Sequence, residues 1–198
     1  GDFKLFLDPG HSGKENRGLW GYSEAEKVLD IALTIKEYLT TYTDIPAENL
    51  MLCREDGNTV VDLGERSDIA NAWGADFYYS IHSDAAADNN TTVFLFGGWM
   101  DNGVEVEKTP AGGKAFGEIL TPNLSDMMKE FALTGTRGNW YDRCYYDRST
   151  NHTNKYPYLS VNRESNMASL LSEGGYHTIA EQQQLNINAD YKRLEAMA

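Results

Sequence analysis

The sequence predicts a single three-layer α/β/α domain, in which helices flank a twisted, mostly parallel (mixed) sheet of about six strands. Two observations indicate this class: short apolar runs alternate with segments of helical periodicity, and turn residues separate them through the first half of the chain. The length of 198 residues suits one domain. We expect residues 1–198 to form that domain, with residues 97–157 as a variable insertion rich in aromatic residues.

Short apolar runs predict the strands, and apolar residues spaced three or four apart predict the helices. The strands are expected at residues 3–7, 50–53, 77–81, 93–96, 158–161 and 168–171. The helices are expected at residues 24–39, 62–73, 111–132 and 179–196. Asp62 is a candidate N-cap, and Pro122 is typical of a helix break. Residues 134–157 are predicted to be a long polar loop.

The composition excludes several classes of partner. The chain has 17 Lys and Arg against 30 Asp and Glu, a formal charge of −13, so we expect no nucleic acid or anionic membrane as an electrostatic partner. No apolar stretch is long enough to span a membrane, and no export signal is visible. The two cysteines, Cys53 and Cys144, are too few for a disulfide scaffold or a thiolate zinc cage.

Three residues that could carry chemistry fall at predicted strand ends. His11 follows the first strand after a Pro-Gly turn, His82 follows the third strand, and Glu173 follows the last. Ligands of open α/β sheets bind at the carboxyl ends of the strands. Imidazole is a common zinc ligand, and a catalytic zinc usually has three protein ligands and a water. The two histidines therefore indicate a metal site, although either one alone is more often structural.

The third ligand would be a carboxylate, and the residues leave two candidates open. Glu24 and Glu26 both lie in the first turn of the helix that follows His11. Ser23-Glu24-Ala25-Glu26 also fits a capping box, in which Glu26 would bond back to the helix start. His177 is close enough to Glu173 in sequence to be an outside candidate for the same cleft, whereas His152 is expected to be solvated.

Other catalytic patterns are absent from the sequence. It contains no His-Glu-x-x-His and no Gly-x-Ser-x-Gly nucleophile elbow. The segment from Gly10 to Lys14 lacks the spacing of a phosphate-binding loop, and there is no dinucleotide-binding glycine motif. These absences remove the common zinc-helix peptidases, serine hydrolases and nucleotide enzymes from consideration.

Six short segments occur in one order along the chain: Leu7-Asp8-Pro9-Gly10-His11-Ser12-Gly13, Glu26-Lys27, Arg54-Glu55-Asp56, Glu65-Arg66 with Ala70-Asn71, Ser80-Ile81-His82-Ser83-Asp84-Ala85, and Ser172-Glu173-Gly174-Gly175-Tyr176. Together they resemble the zinc-dependent N-acetylmuramoyl-L-alanine amidases of the amidase 3 type. The resemblance runs from about residue 4 to about residue 178. Ser12 stands where the family usually has Gly, and Thr91–Thr92–Val93 replaces a common Gly-x-Glu stretch, but neither departure removes a metal ligand.

The resemblance implies a ligand set and a catalytic residue. His11, Glu26 and His82 would bind one Zn²⁺ ion, with Glu26 chosen because the family places its ligand Glu just before a Lys. Glu173 would be the catalytic carboxylate. Asp8 is a candidate acceptor for the second nitrogen of a ligand imidazole, since such ligands usually have one.

The reaction implied is hydrolysis of the amide bond between N-acetylmuramic acid and L-alanine in peptidoglycan or muropeptides. A zinc-activated water would attack, and Glu173 would act as general base and then general acid. Such an enzyme would be a monomer and would work extracellularly, in the cell wall or in the periplasm. A cell-wall-binding module outside this chain would then target it, since the charge of −13 would not attract it to an anionic wall.

Two other functions remain open at the level of sequence. One is a catalytically inactive relative that binds cell-wall fragments, although the intact set of site residues disfavours it. The other is a zinc peptidase or deacylase acting on a different amide. Among the aromatic residues of the middle segment, Trp140 and Tyr141 are expected to be exposed and to contact substrate.

Overall fold

A mixed six-stranded sheet organises the computed structural model, which describes residues 2–84, 92–130, 136–176 and 187–198. In chain order, the strands are β1 Leu5–Pro9, β2 Leu50–Leu52, β3 Phe77–Asp84, β4 Thr92–Phe96, β5 Gly98–Asp101, β6 Val104–Glu107, β7 Asn139–Tyr141 and β8 Ala168–Tyr176. The order across the sheet is β2-β1-β3-β8-β4-β7, and β5 and β6 form a separate antiparallel pair. Only the β4–β8 pairing within the described sheet is antiparallel. The predicted fold class is confirmed.

Helices cover both faces of the sheet. They are α1 Glu24–Tyr42, α2 Leu63–Trp73, α3 Gly113–Lys129, α4 Asp142–Tyr146, α5 Ser160–Glu164 and α6 Ala189–Met197, with 3₁₀ turns at Leu19–Gly21 and Ala47–Asn49. The helices α1, α3 and α6 pack on one face, and α2 and α5 pack on the other.

Strand alternation explains the two faces, because successive side chains of a strand point to opposite sides. In β1, Leu5 and Leu7 pack under α1, whereas Phe6 joins the cluster that contains Ala70 of α2. In β8, Leu170 packs with Leu124 of α3, and Leu171 faces the other side. The central strands are therefore buried on both faces, as their nearly continuous apolar sequence predicts.

The starts of α1 and α2 follow the sequence signals closely, whereas the closing helix expected at residues 179–196 is described only as α6, from Ala189, since residues 177–186 lie outside the described residues. The second helix begins at Leu63, directly after Asp62, and the Glu65 carboxylate accepts a hydrogen bond from the Asp62 backbone N–H at 3.4 Å. Ser23 is the N-cap of α1, since its hydroxyl accepts the backbone N–H of Glu26 at 3.4 Å. These caps satisfy N–H groups that have no partner within the helix.

Part of the second half of the chain departs from the predicted elements, although the helix expected at residues 111–132 and the strand expected at 168–171 are confirmed as α3 and β8. Residues 158–161 were expected to form a strand, but α5 begins at Ser160, and the Arg163 N–H donates to the Leu159 carbonyl in a helical turn. The predicted loop of residues 134–157 contains β7 and α4. The helix α3 continues through Pro122 without ending. Local propensity fails here because tertiary packing decides the state of short segments.

No helix in the described part of the chain combines the length and apolarity needed to cross a membrane. Cys53 and Cys144 are both buried free thiols.

A candidate metal centre at the strand ends

The carboxyl ends of three neighbouring parallel strands bring the predicted site residues together. Pro9 of β1 pairs with Ile81 of β3, so the loop that carries His11 leaves the sheet beside His82. His82 in turn lies opposite Glu173 on β8. The imidazole rings of His11 and His82 approach edge to face, with centroids 5.1 Å apart. The groups therefore share one edge of the sheet, as the sequence predicts.

Two buried arginines hold the loop that carries His11. The Arg54 guanidinium donates to the carbonyl oxygens of Pro9 (3.1 Å) and Gly10 (2.9 Å), and also to Ala25 of α1 at 2.8 Å. Arg66 donates to the carbonyl oxygens of Pro9 (2.9 Å) and of the site histidine (2.6 Å). An arginine side chain can bind several carbonyl oxygens at once because it has five N–H donors in fixed directions. The loop is thereby fixed to both α1 and α2.

Two features of this loop set its shape beside the histidines. His11 adopts a φ of 60°, in the left-handed region that non-glycine residues rarely occupy. Gly10 lies against the face of the His82 ring, and a Cβ at this position would overlap the imidazole. The close approach of backbone and ring therefore requires glycine.

Glu24 provides the carboxylate that lies between the two histidines. Its Oε2 is 3.2 Å from His11 Nε2, and its Oε1 is 3.4 Å from His82 Nδ1. The Ser83 backbone N–H donates to Oε1 at 2.8 Å, and the Asn16 amide donates to Oε2 at 2.7 Å. With a side chain only 1% exposed, this carboxylate is held in a single orientation by several donors.

The structure corrects the assignment of Glu26 as the third ligand. Its side chain is 44% exposed and lies 3.6 Å from Lys14 Nζ, in a surface ion pair. The physical reason is helical rotation: two residues along a helix is about 200° around its axis, so Glu26 faces away when Glu24 faces the histidines. Glu24 takes the place of Glu26 in the site.

The three side chains His11, Glu24 and His82 offer one ligand atom each, and all three atoms lie within 4.8 Å of one another. Two imidazole nitrogens and one carboxylate oxygen form a donor set known for catalytic zinc, and it leaves a coordination position open. The residues present therefore fit a zinc ion. Manganese or iron would accept the same nitrogen and oxygen donors.

The titration behaviour of the cluster reflects the same proximity. Burial alone would raise the pKa of Glu24, but the hydrogen bonds and charges of His11 and His82 hold it well below its usual range. In the other direction, the hydrogen bond to Glu24 raises the pKa of His11. The cluster thus already stabilises an ionised carboxylate beside two nitrogen ligands.

Glu173 differs from Glu24 in its surroundings. Its Oε2 is buried and finds no hydrogen-bond partner among the described residues. Burial, and then the charge of Glu24, raise the pKa of Glu173 well above its usual value, although Arg137 and Lys27 act in the opposite direction. A carboxyl group with a raised pKa and a free oxygen, beside the cluster of His11, Glu24 and His82, is suited to holding and releasing a proton.

Asp8 does not accept a hydrogen bond from a ligand imidazole in this structure, which corrects the role predicted for it. Its Oδ1 accepts from Arg66 Nη1 at 2.7 Å, and its Oδ2 accepts from the hydroxyls of Tyr78 (2.7 Å) and Ser80 (2.9 Å). Although its burial acts the other way, the charge of Arg66 lowers the pKa of Asp8. Asp8 supports the site indirectly, because it orients the arginine that holds the His11 loop.

The aromatic candidates lie at different distances from the site. Trp140 is exposed and lies on the edge strand β7, two strands from β8. Tyr141 was also expected to be exposed, but it is half-buried and packs near His152. A residue that the sequence did not single out, Tyr146, is nearer: after burial, the charge of Glu173 helps to raise its pKa to about 12.

The other two histidines have separate outcomes. His152 is buried rather than solvated, since its Nδ1 accepts the Met100 N–H at 2.9 Å and its Nε2 lies 2.9 Å from the Asp147 carbonyl. It fixes a loop and is not part of the cluster. His177 lies outside the described residues.

Sequence reasoning missed two polar residues that surround the cluster. Asn16 donates to Glu24 and lies 3.2 Å from His11 Nε2, and Arg137 lies near Glu173 and donates to the Tyr145 hydroxyl at 2.7 Å. Both residues lie in loops, where hydrophobic periodicity gives no signal. Only their occurrence in polar segments beside the strand ends could have indicated them.

Comparison with known proteins gives a consistent result. A family model described as N-acetylmuramoyl-L-alanine amidase matches residues 5–198. The sporulation-specific N-acetylmuramoyl-L-alanine amidase of Bacillus subtilis is 33% identical over 94 residues, covering 47% of this chain and 36% of that protein. The match thus spans about a third of the length of this curated relative.

Two solved structures share the whole fold. An N-acetylmuramoyl-L-alanine amidase from Clostridium difficile 630 superposes with a TM-score of 0.72 at 25% identity, covering 98% of this chain and 91% of that one. The catalytic domain of CwlV, an N-acetylmuramoyl-L-alanine amidase from Bacillus (Paenibacillus) polymyxa var. colistinus, gives 0.71 at 20% identity, covering 98% and 92%. At 20% identity, the second likeness shows the fold alone.

Proposed function

The chain belongs to the N-acetylmuramoyl-L-alanine amidase family, and from this premise we propose that it hydrolyses the amide bond between N-acetylmuramic acid and L-alanine in peptidoglycan. We further propose that His11, Glu24 and His82 hold one zinc ion and that Glu173 is the catalytic carboxylate. The observation that carries the proposal is the convergence of two imidazoles and a buried carboxylate within 4.8 Å, with Glu173 opposite His82 on the next strand.

Each ligand has a defined support. Arg66 fixes the carbonyl of His11, Gly10 leaves room for the His82 ring, and the Ser83 N–H orients Glu24. Such support keeps a ligand set in place before the metal arrives, which lowers the cost of binding. A zinc ion held by these three residues would supply Lewis-acid chemistry, for the scissile carbonyl and for a water nucleophile at neutral pH.

Glu173 would manage the protons of the reaction. Hydrolysis of an amide removes one proton from the attacking water and delivers one to the departing amine nitrogen. The free Oε2 of Glu173 can accept the first and donate the second, and its raised pKa favours the protonated state that the second step needs. The positive charge of Arg137 acts in the opposite direction and lowers the pKa of Glu173, which favours the ionised state that the first step needs.

The setting follows from the substrate. Peptidoglycan lies outside the cytoplasmic membrane, so we propose action in the cell wall or periplasm. The net charge of −13 gives no electrostatic attraction to an anionic wall. A monomeric catalytic domain would therefore depend on its own groove, or on a wall-binding module outside this chain, to reach the glycan strands.

The test combines metal analysis with product analysis. The purified protein is assayed for bound metal and then incubated with purified muropeptides, and the products are identified by mass. A released stem peptide with a free L-alanine amino terminus supports the amidase. Bound metal without this product would support hydrolysis of another amide, and the lack of both would support a protein that only binds wall fragments.

A matched pair of variants tests the catalytic carboxylate. Glu173→Gln should keep zinc while the turnover falls by about 10²–10⁴-fold, the range expected for loss of a general acid–base group. Glu164→Gln changes an exposed carboxylate at the end of α5 and should leave turnover unchanged. Near-normal turnover in Glu173→Gln would overturn the assignment.

A further inference from the structure

We propose that Lys27 is a positioning residue for the candidate active site, an inference that rests on the proposed function. Its ammonium lies where α1 meets the ends of β3 and β8. The Nζ atom donates to the Ser83 hydroxyl at 3.0 Å and to the carbonyl oxygen of Gly174, and it forms an ion pair with Glu195 Oε2 at 3.2 Å. The side chain is 1% exposed, so all of these contacts are shielded from water.

The residues that Lys27 contacts are direct neighbours of the groups that would do the chemistry. Ser83 follows His82, and its backbone N–H also orients Glu24. Gly174 follows Glu173 in β8. Lys27 itself follows Glu24 by three residues on α1, so both lie on the same side of that helix. One ammonium group thus connects the three elements that carry a histidine ligand, the carboxylate ligand and the proposed base.

Glu195 on α6 supplies the counter-charge that allows a buried lysine here. Its side chain is 6% exposed and packs on the Cα of Gly174, where a Cβ would overlap Glu195 Oε1. The ring of Tyr191, one turn earlier on α6, has its centroid 5.7 Å from the ammonium. Through Glu195 and Tyr191, the helix α6 thereby holds the Lys27 ammonium against the strand ends.

The alternative is a buried ion pair that contributes only to stability, and energetics argue against it. Replacing a buried ion pair by apolar residues of similar volume is often neutral or stabilising, so such a pair is a poor source of stability. The contacts of Lys27 are instead directed: of its described hydrogen-bond and ion-pair partners, Ser83 and Gly174 are the residues next to His82 and Glu173. Since a displacement of about 1 Å can cost about 10²-fold in rate, fixing these strand ends has a functional consequence.

A pair of double variants separates positioning from stability. Lys27→Met/Glu195→Leu removes both buried charges together, and the Ser83 hydroxyl can still donate to the Gly174 carbonyl at 3.3 Å. The matched control is Lys36→Met/Glu55→Leu, which removes a 3.0 Å ion pair between Lys36 of the same helix α1 and the exposed Glu55 after β2. Both proteins are compared with the parent by thermal unfolding, zinc affinity against a competing chelator, and kcat and KM on muropeptides.

We expect the buried double variant to unfold within a few degrees of the parent but to bind zinc about tenfold more weakly. Its kcat should fall by about 10–100-fold, with KM within about threefold, because groups that support a metal site affect affinity and rate in this range. The control should match the parent. A stable variant whose zinc affinity and kcat both stay within twofold of the control would overturn the proposal.

Ser83→Ala gives a second variant in case the first does not fold. It removes one contact of Lys27 while the buried ion pair with Glu195 remains. A three- to tenfold loss of zinc affinity supports the proposal, and an unchanged zinc affinity and kcat overturn it. If the parent protein releases no stem peptide with L-alanine at its amino terminus, the proposed function fails. The comparison of zinc affinities still decides the role of Lys27 in that case.

Discussion

Replacing Glu24 should abolish tight zinc binding, whereas the same change at Glu26, two residues along α1, should not. The variants Glu24→Gln and Glu26→Gln remove one negative charge each and keep the shape of the side chain. Glu24 is buried and lies 3.2 and 3.4 Å from the two imidazoles. Glu26 is 44% exposed and, among the described residues, forms an ion pair only with Lys14, at 3.6 Å.

The expected sizes follow from this geometry. Structural zinc sites with four ligands bind with about 10–16 kcal/mol, which is about 2.5–4 kcal/mol for each ligand. Loss of the Glu24 carboxylate should therefore weaken zinc binding by about 10²–10³-fold. The exposed pair of Glu26 is worth about 0–1 kcal/mol, and its loss should change the zinc affinity by less than about threefold.

Chelator competition at fixed pH measures both dissociation constants, and circular dichroism checks that each variant is folded. The amide oxygen introduced by Glu24→Gln can still accept the Ser83 N–H, so this variant should retain the fold. The reasoning would be refuted if Glu26→Gln lost zinc while Glu24→Gln retained it. Equal losses in both variants would show that the charge near the site, rather than ligation, determines affinity.

Three further predictions address the loop, the buried arginine and a buried lysine. Gly10→Ala should displace the His82 ring and weaken zinc binding by at least about tenfold in the same competition assay, whereas Gly57→Ala, where a Cβ meets open space, should not. Arg66→Met should lower the free energy of unfolding by about 3–5 kcal/mol in urea titrations, because it leaves the Asp8 carboxylate buried and without its cation; a loss below about 1 kcal/mol would contradict this. Burial lowers the pKa of Lys108 from 10.5 to about 8, so between these two pH values the folded protein binds fewer protons than the unfolded chain and gains stability as pH rises. Relative to Lys108→Met, the parent should therefore gain about 2–3 kcal/mol of unfolding free energy from pH 8 to pH 10.5, and a difference independent of pH would refute the assignment.

The parts of the site that lie on strands were predictable from the sequence. His11, His82 and Glu173 each follow a recognisable apolar run, and parallel strands place such residues on one edge of the sheet. The start of the helix that follows Asp62 was equally clear, because Asp62 and Glu65 form a capping box there. Where a segment is long enough to show a strand or helix period together with a cap signal, its sequence determines which element forms and in which direction it runs.

The second half of the chain was less predictable for a physical reason. The elements that the sequence failed to predict there are short: β7 has three residues, and α4 and α5 have five each. Segments of this length contain less than two helical turns, so they have no usable period. Their state is decided by contacts distant in sequence, such as the pairing of β7 with β4 and the bonds of Asp142 to the backbone N–H groups of Tyr158 and Leu159.

The error at Glu26 has a different cause, since α1 was strongly periodic. The apolar stripe Val28, Ile31 and Ile35 extends backwards to positions 24 and 27, and not to position 26. Charged residues in the line of a buried stripe must be paired or bound, because an isolated buried charge costs several kcal/mol. Glu24 meets two imidazoles there and Lys27 meets Glu195, so the interruption of the apolar pattern by two charges already marked where α1 enters the site. A family motif aligned by its neighbouring lysine overrode that signal, and helix periodicity was the better guide to which carboxylate faces the metal centre.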